Sequence, residues 1–520
     1  MGRFRQVAHN IASSYAVLIA TAVYALASLP LALHYLSKER FGLWTLMSSI
    51  GGYLSLIDLG MSGSIARLLV DHKDQRNGAT YGGLIKTGWL VLCVQGSLIL
   101  LTSWVLSPLL SNLLHIPQTM EGEFILLMRW LGAMLAFNFS MRIFSHILLA
   151  HQRVDIVNYG QIVALVLNYA LLWVFFAQQH GVFSLVWAQL ISSVCSALLC
   201  LIACLHFRLF PSLGDWGRAS WQQFKGIFDY GKDMFLVAVG TQLIMASQTM
   251  VITRRLGLEA SAAWYAGTRA FNLVSQAIWR ISDSSFPAFS EMLVRREDSL
   301  LRERYRAVVM LTASICGFAA VTYAVCNSVF VTVLTHGKIQ WPPMNDLLLG
   351  VWMIVMAILH CHNSFALLTK KVGFMRYVYF VEGLVFVSAA LLFAKWGGLP
   401  AIIVCSIVCS SLFSGAYGVW RISHHFKVSF SEVGVRWLSQ MGQVLLMFAP
   451  LSIAAWWLFR GITNVYLRLT ASAIYCGSVG FYILLRLGIS PALQGELLQR
   501  APKRINPILR RLFLGWSQCD

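Results

Sequence analysis

A stripe of polar and charged residues runs along residues 265–287, YAGTRAFNLVSQAIWRISDSSFP, a stretch otherwise as long and apolar as a membrane-spanning helix. At about 100° per residue its five members fall within about 80° of one another. They are Arg269, Asn272, Gln276, Arg280 and Asp283. Arginine offers a planar fork of donors that suits phosphate oxygens. Because a charge at the bilayer centre costs roughly 2.5–3.5 kcal/mol, this face is predicted to meet water, protein or an anionic substrate.

Polar residues interrupt other apolar segments as well. Asn138, Arg142 and His146 recur every four residues and therefore share one face of a helix. We expect a substrate-binding central cavity, filled with water and formed by Arg142, Arg269, Arg280, Asn138, His146, Asn272, Gln276, Gln242 and Gln248. We expect ion coupling or salt bridges from Asp58, Asp283 and Glu382.

Structural roles are an alternative for several of these residues. Arg280 and Asp283, three residues apart, could neutralise each other inside the bundle. His146 could make an interhelical hydrogen bond, and Asp58 could cap a break before the glycine at position 60. Glu382 could lie near the membrane surface. The sequence leaves these alternatives open.

The composition is that of a membrane protein. The 520 residues are 58% hydrophobic and 12% charged, whereas a soluble chain is about 25% charged. Apolar runs near 20 residues recur, which is the length that crosses the hydrocarbon core. The first run is too long for a signal peptide and is expected to stay in the membrane. We predict an all-α polytopic membrane protein with about fourteen transmembrane helices, at 11–34, 41–69, 84–113, 122–150, 156–178, 182–205, 231–253, 261–289, 307–335, 346–369, 375–396, 399–421, 440–459 and 465–486.

The net charge of +19 has a membrane explanation. With a cytoplasmic N-terminus, 28 of the 40 Lys and Arg residues fall on the cytoplasmic side, 8 on the outer side and 4 within spans. This is the distribution that the positive-inside rule describes. It predicts cytoplasmic N- and C-termini and contact with anionic membrane lipid, and it makes a nucleic-acid partner unnecessary.

Short loops argue against an enzyme. No loop is long enough to fold as a catalytic domain, and no phosphate-binding glycine loop, HExxH or GxSxG motif is present. The eleven cysteines have no metal or disulfide spacing, so they are interpreted as small apolar side chains. In the sequence HCH at 360–362 the two histidines diverge by about 200° on a helix, so no metal site is expected. We predict a transporter without a cofactor.

The two halves of the chain resemble each other at a nearly constant offset. KERFGLW at 38–44 matches LEASAAW at 258–264 with an offset of 220, LLAHQRVDIVNY at 148–159 matches LLTKKVGFMRY at 367–377 with 219, and HGVFSLVW at 180–187 matches GGLPAIIV at 397–404 with 217. Six spans per repeat predict a pseudo-two-fold axis along the membrane normal and a substrate site between the repeats. The predicted organisation is an N-lobe at 1–206, a cytoplasmic linker at 207–230, a C-lobe at 231–422, two extra C-terminal helices at 423–486 and a basic cytoplasmic tail at 487–520.

Three blocks resemble the polysaccharide-transporter branch of the multidrug/oligosaccharidyl-lipid/polysaccharide (MOP) exporter superfamily, the Wzx-type O-antigen flippases. They are ERFGLWTLMSSIGGYLSLIDLG at 39–60, LLAHQRVDIVN at 148–158 and RRLGLEASAAWYAGTRAFNLVSQAIWRISDSSFPAFSEM at 254–292. The resemblance implies a two-lobed transporter that moves an undecaprenyl-diphosphate-linked oligosaccharide across the bacterial inner membrane by alternating access. Coupling to an H⁺ or Na⁺ gradient, a monomeric state, and a polymerase or ligase of the same pathway as partner are further expectations.

Other functions are alternatives. A lipid II flippase is favoured by fourteen spans, because the last two helices of such flippases are thought to hold the lipid tail. A multidrug or cation antiporter would need an acidic, aromatic cavity, whereas the charges within the spans here include four arginines. A membrane glycosyltransferase or polymerase is disfavoured by the short outer loops.

Overall fold

The long apolar segments of the sequence fold as α-helices. The protein is represented by a computed structural model that describes residues 3–73, 79–212, 214–369 and 373–500, together with Asn506 and Phe513. Most of the predicted basic tail at 487–520 therefore lies outside the described residues, as does residue 213 of the predicted linker. Helices form because a segment in lipid must satisfy every backbone N–H and C=O internally.

The first eight helices lie in the first half of the chain. They are α1 (Arg3–Tyr35), α2 (Lys38–Leu54), α3 (Met61–His72), α4 (Ala79–Leu113), α5 (Gln118–Ala150), α6 (Val154–Ala177), α7 (Phe183–His206) and α8 (Trp221–Leu256). A 3₁₀ turn, Ser55–Asp58, extends α2. The remaining helices are α9 (Leu258–Gly267), α10 (Arg269–Asp283), α11 (Phe286–Arg295), α12 (Asp298–Leu334), α13 (Pro343–Leu368), α14 (Met375–Ser410), α15 (Ala416–Phe426), α16 (Phe430–Gly434), α17 (Ser439–Phe459), α18 (Val465–Tyr475), α19 (Phe481–Ile483) and α20 (Pro491–Arg500).

The number of membrane spans differs from the prediction. Among the described residues, eleven helices are long and apolar enough to cross a membrane, and twelve if the bent pair Lys38–Asp58 and Met61–His72 counts as one span. The predicted number of fourteen is not confirmed. The predicted span 261–289 is not among the eleven, and the predicted spans 375–396 and 399–421 form one continuous element, Met375–Phe426.

That continuous element reverses direction near its middle. Gly398 has φ 59° and ψ −145°, which is not helical, and Pro400 follows it. The backbone N–H of Ser414 donates to Oε2 of Glu382 at 3.0 Å. In a straight helix 32 residues would span about 48 Å. The two residues can meet only if the segment is an antiparallel pair of helices, which agrees with two separate predicted spans.

The chain divides into two compact units, Met1–Ala262 and Ala263–Asp520. Helix α8, which the sequence assigns to the second lobe, packs against α2, α3 and α4 of the first unit. Within this unit α4 and α5 approach closely through glycines. A Cβ at Gly96 would lie 2.7 Å from the carbonyl oxygen of Ala136, and one at Gly132 would overlap the side chain of Ser103. Small residues of this kind allow helices to pack in lipid.

The second unit is organised around α12. This helix packs against α13, α17 and α18. A buried apolar cluster that includes Val325, Val444 and Phe448 joins α12 to the C-terminal helices. Gly480 fits against Phe448 and Phe318, where a Cβ would come within 2.7 Å of either ring. The predicted extra helices are therefore packed against the body of this unit.

Candidate functional site

The helix pair α2 and α3 is broken where the sequence places an aspartate before a glycine. Leu59 (φ 48°) and Gly60 (φ 74°) are both left-handed, and the two helical segments are bent by 49°. The Asp58 carboxylate accepts hydrogen bonds from the backbone N–H of Ser62 at 3.1 Å and from its hydroxyl at 2.5 Å. Asp58 therefore binds one of the free N–H groups in the first turn of α3. The predicted capping role of Asp58 is present.

On the other side of the break, backbone carbonyl groups accept hydrogen bonds from α4. The Gln95 side-chain amide donates to the carbonyl oxygens of Ile57 at 3.1 Å and Asp58 at 2.9 Å. These carbonyls lie at the end of the 3₁₀ turn and have lost their helical partners. The break therefore stays within a membrane helix without exposing backbone polar groups to lipid.

Arg142 of α5 joins this network. Its Nη1 donates to the hydroxyl of Ser62 at 3.2 Å, and its guanidinium lies 4.2 Å from the ring centre of Phe139. The acid and the arginine are thus connected through one serine rather than by direct contact. This arrangement fixes Arg142 beside the helix break and leaves its remaining donors for other partners.

A polar cavity lies on the face of α5 that carries Arg142. Its volume is about 260 Å³. Its lining includes Asn138, Arg142, Ser145, Gln161, Gln189, Ser193 and Ser196. Asn138 and Arg142 are therefore brought together as their spacing predicts. His146 is buried, but neither of its ring nitrogens has a hydrogen-bond partner within the described residues, so the predicted interhelical hydrogen bond is absent there.

Most of the predicted stripe on α10 is exposed. Asn272, Gln276 and Arg280 are exposed, and Arg269 is half-buried with its guanidinium 4.9 Å from the ring centre of Tyr265. The opposite face is buried through small and apolar residues, namely Phe271, Ser275, Ile278 and Ser282. The helical period thus gives the correct sorting of faces. Arginines in membrane segments almost always face protein or a water-filled cavity, so this face is expected to meet water or a polar partner.

Asp283, the last residue of α10, has a different partner from the one predicted. Its Oδ1 contacts Nε2 of His360 at 2.7 Å, and the His360 ring stacks on Trp279 with ring centres 4.7 Å apart. Within the described part of the chain, Arg280 forms no salt bridge with Asp283. The proposed neutralisation of Arg280 by Asp283 is therefore not found, and the Arg280 guanidinium stays available.

The break between α9 and α10 is held by residues that the sequence did not indicate. The carbonyl oxygen of Gly267 accepts hydrogen bonds from the Tyr323 hydroxyl at 2.9 Å and from the Asn327 amide at 3.0 Å. The same amide donates to Oδ1 of the buried Asp346 at 2.6 Å, and Trp341 donates to this oxygen at 2.5 Å. These contacts position the start of the exposed stripe.

Three other candidates lie away from these contacts. Gln242 donates from Nε2 to the carbonyl oxygen of Gly52 at 3.0 Å, and Gln248 is buried. Glu382 is only 1% exposed and is therefore buried among protein atoms, and its depth in the membrane stays a prediction. Its contacts lie between α14 and the segment that follows. They are separate from the contact between Asp283 and His360.

The sequence matches one known protein family over most of its length. The model of the polysaccharide biosynthesis protein family matches residues 31–345, which is more than half of the chain. The chain belongs to this family. The match includes the α2–α3 break, Arg142 and the whole of α10. No curated protein matches the sequence.

Solved structures of MOP transporters share the fold. An inward-facing multidrug resistance MATE family transporter has a TM-score of 0.66 at 16% identity, over 79% of this chain and 96% of that one. The lipid II flippase MurJ, in an inward closed conformation, has 0.66 at 13% identity, over 92% of this chain and 100% of that one. The Vibrio cholerae MATE transporter VcmN in its bent form has 0.53 at 16%, over 82% and 98%. This family member is a multi-pass membrane protein with the MOP fold.

The residues that the sequence did not predict are mostly the side chains that contact the predicted ones. Ser62 stands four residues after Asp58, which is longer than the usual spacing between a capping side chain and the N–H that it binds, so the capping rule alone does not indicate it. His360 lies 218 residues after Arg142, close to the repeat offset, so the repeat could have indicated it. The sequence contains no comparable signal for the contacts of Asn327 and Asp346, because these contacts depend on how α12 packs against α13.

Proposed function

We propose that this protein is a flippase that moves an undecaprenyl-diphosphate-linked oligosaccharide, an O-antigen or exopolysaccharide repeat unit, across the bacterial inner membrane. The observation that carries the proposal is the polar stripe on α10, a helix of the MOP fold, in which Asn272, Gln276 and Arg280 are exposed and Arg269 is half-buried. Family membership adds that the chain acts in polysaccharide biosynthesis.

The chemistry of the stripe suits such a substrate. A diphosphate needs its charge compensated inside a membrane protein, and guanidinium groups bind phosphate oxygens through two parallel hydrogen bonds. The amides of Asn272 and Gln276 lie between the two arginines on the same face and can hydrogen-bond sugar hydroxyls. Arg280 has no salt bridge within the described residues, so no carboxylate of this part of the chain competes with the phosphates.

A transport cycle by alternating access accounts for this arrangement without enzymatic catalysis. The protein is placed in the inner membrane with both termini in the cytoplasm, as the distribution of basic residues indicates. It acts as a monomer, receives the lipid-linked glycan on the cytoplasmic side and releases it outside to a polymerase or ligase of the same pathway.

Complementation tests the proposal. A bacterial strain that lacks its repeat-unit flippase is supplied with the wild-type gene, and surface glycan is measured with defined glycans. The double variant Arg269→Ala/Arg280→Ala should abolish rescue, while Arg280→Lys should retain part of it because the charge remains without the fork. Arg295→Ala is the matched control, since Arg295 is exposed and pairs with Glu291 one turn away. Rescue by the double variant at normal expression would disprove the role of the stripe.

A lipid II flippase is the second candidate. The observation in its favour is that the likeness to MurJ extends over 92% of this chain, whereas the likeness to the inward-facing MATE transporter covers 79%. Rescue of a strain without its lipid II flippase, together with failure on every oligosaccharide repeat unit, would establish this function instead of the first.

A further inference from the structure

A half-polar pocket in the second unit is formed by α11, the end of α13 and α15. Its volume is about 460 Å³, within the range of about 300–1,000 Å³ that is usual for small-molecule sites. None of its lining residues belongs to the stripe on α10. Its polar side chains are Ser290, Thr369, Arg421, His424 and His425. Hydrogen-bond donors from three parts of the chain therefore meet in one cavity.

The polar part of this pocket is cationic. Arg421 is half-buried and forms no salt bridge within the described residues. No aspartate or glutamate of the described part of the chain lines the pocket. Glu291, the acid next to Ser290 on α11, pairs with Arg295 at 2.5 Å. The guanidinium, with its five N–H donors, is therefore available to an anion.

Two histidines follow Arg421 on α15. The exposed His424 ring stacks on Trp420, with ring centres 5.8 Å apart. The His425 ring packs edge-on against Phe365, with ring centres 5.3 Å apart. These contacts orient both rings, and an imidazole carries at least one N–H donor in either protonation state. The histidines therefore add donors beside the guanidinium whether or not they are charged.

The remainder of the pocket is apolar. It is formed by Leu293 and Val294 of α11 and by Leu368 of α13. Val294 is 81% exposed, and exposed apolar surface next to polar groups is typical of a site for a ligand or a membrane lipid. Cationic donors beside an apolar wall suit an amphiphilic anion, such as a phosphate ester that carries a hydrocarbon chain.

The first unit has the same helix end as α15. The sequence LHFR at 205–208, at the end of α7, matches HHFK at 424–427 with an offset of 219. In both, the residue after the helix is left-handed, Arg208 with φ 49° and Lys427 with φ 53°. The helix α15 differs in its start, because it follows a π-helical turn, Ser411–Gly415. The two helix ends are equivalent positions of the repeat.

The residues of the pocket differ between these equivalent ends. Arg421 corresponds to Ile202 and His424 to Leu205 at the offset of 219. Ile202 and Leu205 are 58% and 59% exposed on a helix that can cross the membrane, so they are expected to face lipid. The fold therefore forms without cations at this position. In the second unit the cations stand where the helix is expected to meet the cytoplasmic layer of lipid headgroups.

The donors of the pocket match a diphosphate better than the phosphate of a glycerophospholipid. A diphosphate esterified at both ends presents twice the unesterified oxygens and twice the charge of a phosphodiester. The pocket offers a guanidinium, two imidazoles and two hydroxyls to such a group.

The pocket also follows the Arg280 end of the stripe along the chain. Ser290 comes ten residues after Arg280, since 290 minus 280 is 10, which is about 15 Å of helix. Only Ser284 and Ser285 separate α10 from α11. A ligand that leaves the pocket therefore has the stripe as the next cluster of donors along these two helices.

We propose that this pocket binds the diphosphate of the polyprenyl-linked substrate in the cytoplasmic leaflet, before the substrate reaches the stripe on α10. Arg421 holds the diphosphate through parallel hydrogen bonds, and His424 and His425 donate to its remaining oxygens. The apolar wall contacts the first isoprene units of the chain. The choice of ligand rests on the proposed flippase function, whereas the affinity of the pocket for a prenyl diphosphate is measured without transport.

Photolabelling of the purified full-length protein in phosphatidylcholine nanodiscs tests the pocket. The probe is farnesyl diphosphate with a photoreactive group on its chain, and labelled residues are mapped by mass spectrometry. In wild type the label should fall on Leu293, Val294 or Leu368. In Arg421→Gln/His424→Gln, half-saturation of this label should need at least about tenfold more probe, as expected for the loss of a charged hydrogen bond.

Other variants separate this pocket from general effects and from the stripe. Arg421→Lys keeps the charge without the fork and should give an intermediate shift. The matched control is Arg436→Gln, the same substitution at an exposed arginine that follows α16 and does not line the pocket. It should label as wild type does. Arg269→Ala/Arg280→Ala should also keep the label while it loses rescue. A wild-type chain that is labelled here but rescues no flippase-deficient strain would contradict the proposed function and confirm the pocket.

Competition in the wild-type chain needs no variant. Undecaprenyl diphosphate should suppress the label at a far lower concentration than inorganic diphosphate, because its chain adds apolar contacts. Replacement of part of the phosphatidylcholine by phosphatidylglycerol should leave the label unchanged. An unchanged affinity in Arg421→Gln/His424→Gln, label only outside the pocket, or equal competition by inorganic diphosphate would each overturn the proposal. Suppression by phosphatidylglycerol would overturn it as well, by showing a site for phospholipid headgroups.

Discussion

In each of the two units, a helical segment ends with an aspartate at a break. The aspartates of the two units have different partners. In the first unit Asp58 binds the start of α3 and is connected through Ser62 to Arg142. In the second unit Asp283 contacts His360 instead. The partners stand at nearly the repeat spacing, since 360 minus 142 is 218.

The arginines of the two units differ in the same way. The first unit uses Arg142 as part of the network that holds its helix break. The second unit gives that task to a histidine, and Arg280 remains on the exposed face of α10. We infer that duplication produced two similar folds, of which the first became the more structural and the second the more exposed to substrate. Substitutions at matched residues test this division of roles.

The largest contrast is expected between Arg280 and Arg142. Arg280→Ala removes a charged donor from the proposed substrate surface, so the flipping rate should fall roughly 10- to 100-fold, as for a charged hydrogen bond worth about 1.5–3 kcal/mol. Its unfolding midpoint in detergent should not change. Arg142→Ala should instead lower the free energy of unfolding by about 1–3 kcal/mol. The measurements are glycolipid flipping in proteoliposomes and thermal unfolding; equal effects of both variants on both quantities would contradict the comparison.

The second contrast concerns the two aspartates. Asp58→Ala removes a helix cap and leaves the backbone N–H and the hydroxyl of Ser62 without their acceptor, which should cost about 2 kcal/mol of stability. Asp58→Asn should recover much of this, because an amide oxygen can still accept from the Ser62 N–H. Asp283→Ala should cost clearly less, since Asp283 is 40% exposed and its ion pair with His360 is the one found within the described residues. Denaturant unfolding of the three variants measures the difference, and a costlier Asp283→Ala would reverse the assignment.

The sequence predicted the elements of this comparison better than their contacts. The helical period sorted α10 correctly into a buried face and an exposed stripe, because burial of apolar residues follows the period of the helix alone. The break before Gly60 was likewise visible, since a glycine after an aspartate marks a change of backbone conformation. The partner of Asp283 was not predictable, because three residues of separation favour Arg280 and only the packing of α10 against α13 brings His360 closer.

The same limit applies to Glu382. Its sequence position did not indicate that the reversal at Gly398 brings Ser414 against the buried carboxylate. A π-helical turn has no clear sequence signal, and neither has the pairing of two residues 32 positions apart. Local propensities therefore predict the helices and their faces, while tertiary packing determines which side chains pair.

The third contrast uses two glycines on either side of the start of α3. Gly60 has φ 74°, a conformation that costs an L-residue with a side chain roughly 1–2 kcal/mol. Gly63 lies within α3, and no atom of a neighbouring residue would lie within 4 Å of a Cβ added there. We expect Gly60→Ala to lower the free energy of unfolding by about 1 kcal/mol and Gly63→Ala to leave it unchanged or raise it slightly. If both substitutions have the same effect, the left-handed break is not a fixed feature of the folded protein.

The smallest contrast is the energy of the Asp283–His360 contact itself. Both side chains are partly exposed, at 40% and 25%, so solvent weakens their attraction. A double-mutant cycle with Asp283→Ala and His360→Ala should give a coupling of about 0.5 kcal/mol. The equivalent cycle with Ser62→Ala and Arg142→Ala, whose hydrogen bond is part-buried, should give about 1 kcal/mol. A coupling at His360 that equals or exceeds the one at Arg142 would show that the second unit holds its break as firmly as the first, and the freedom of Arg280 would then need another explanation.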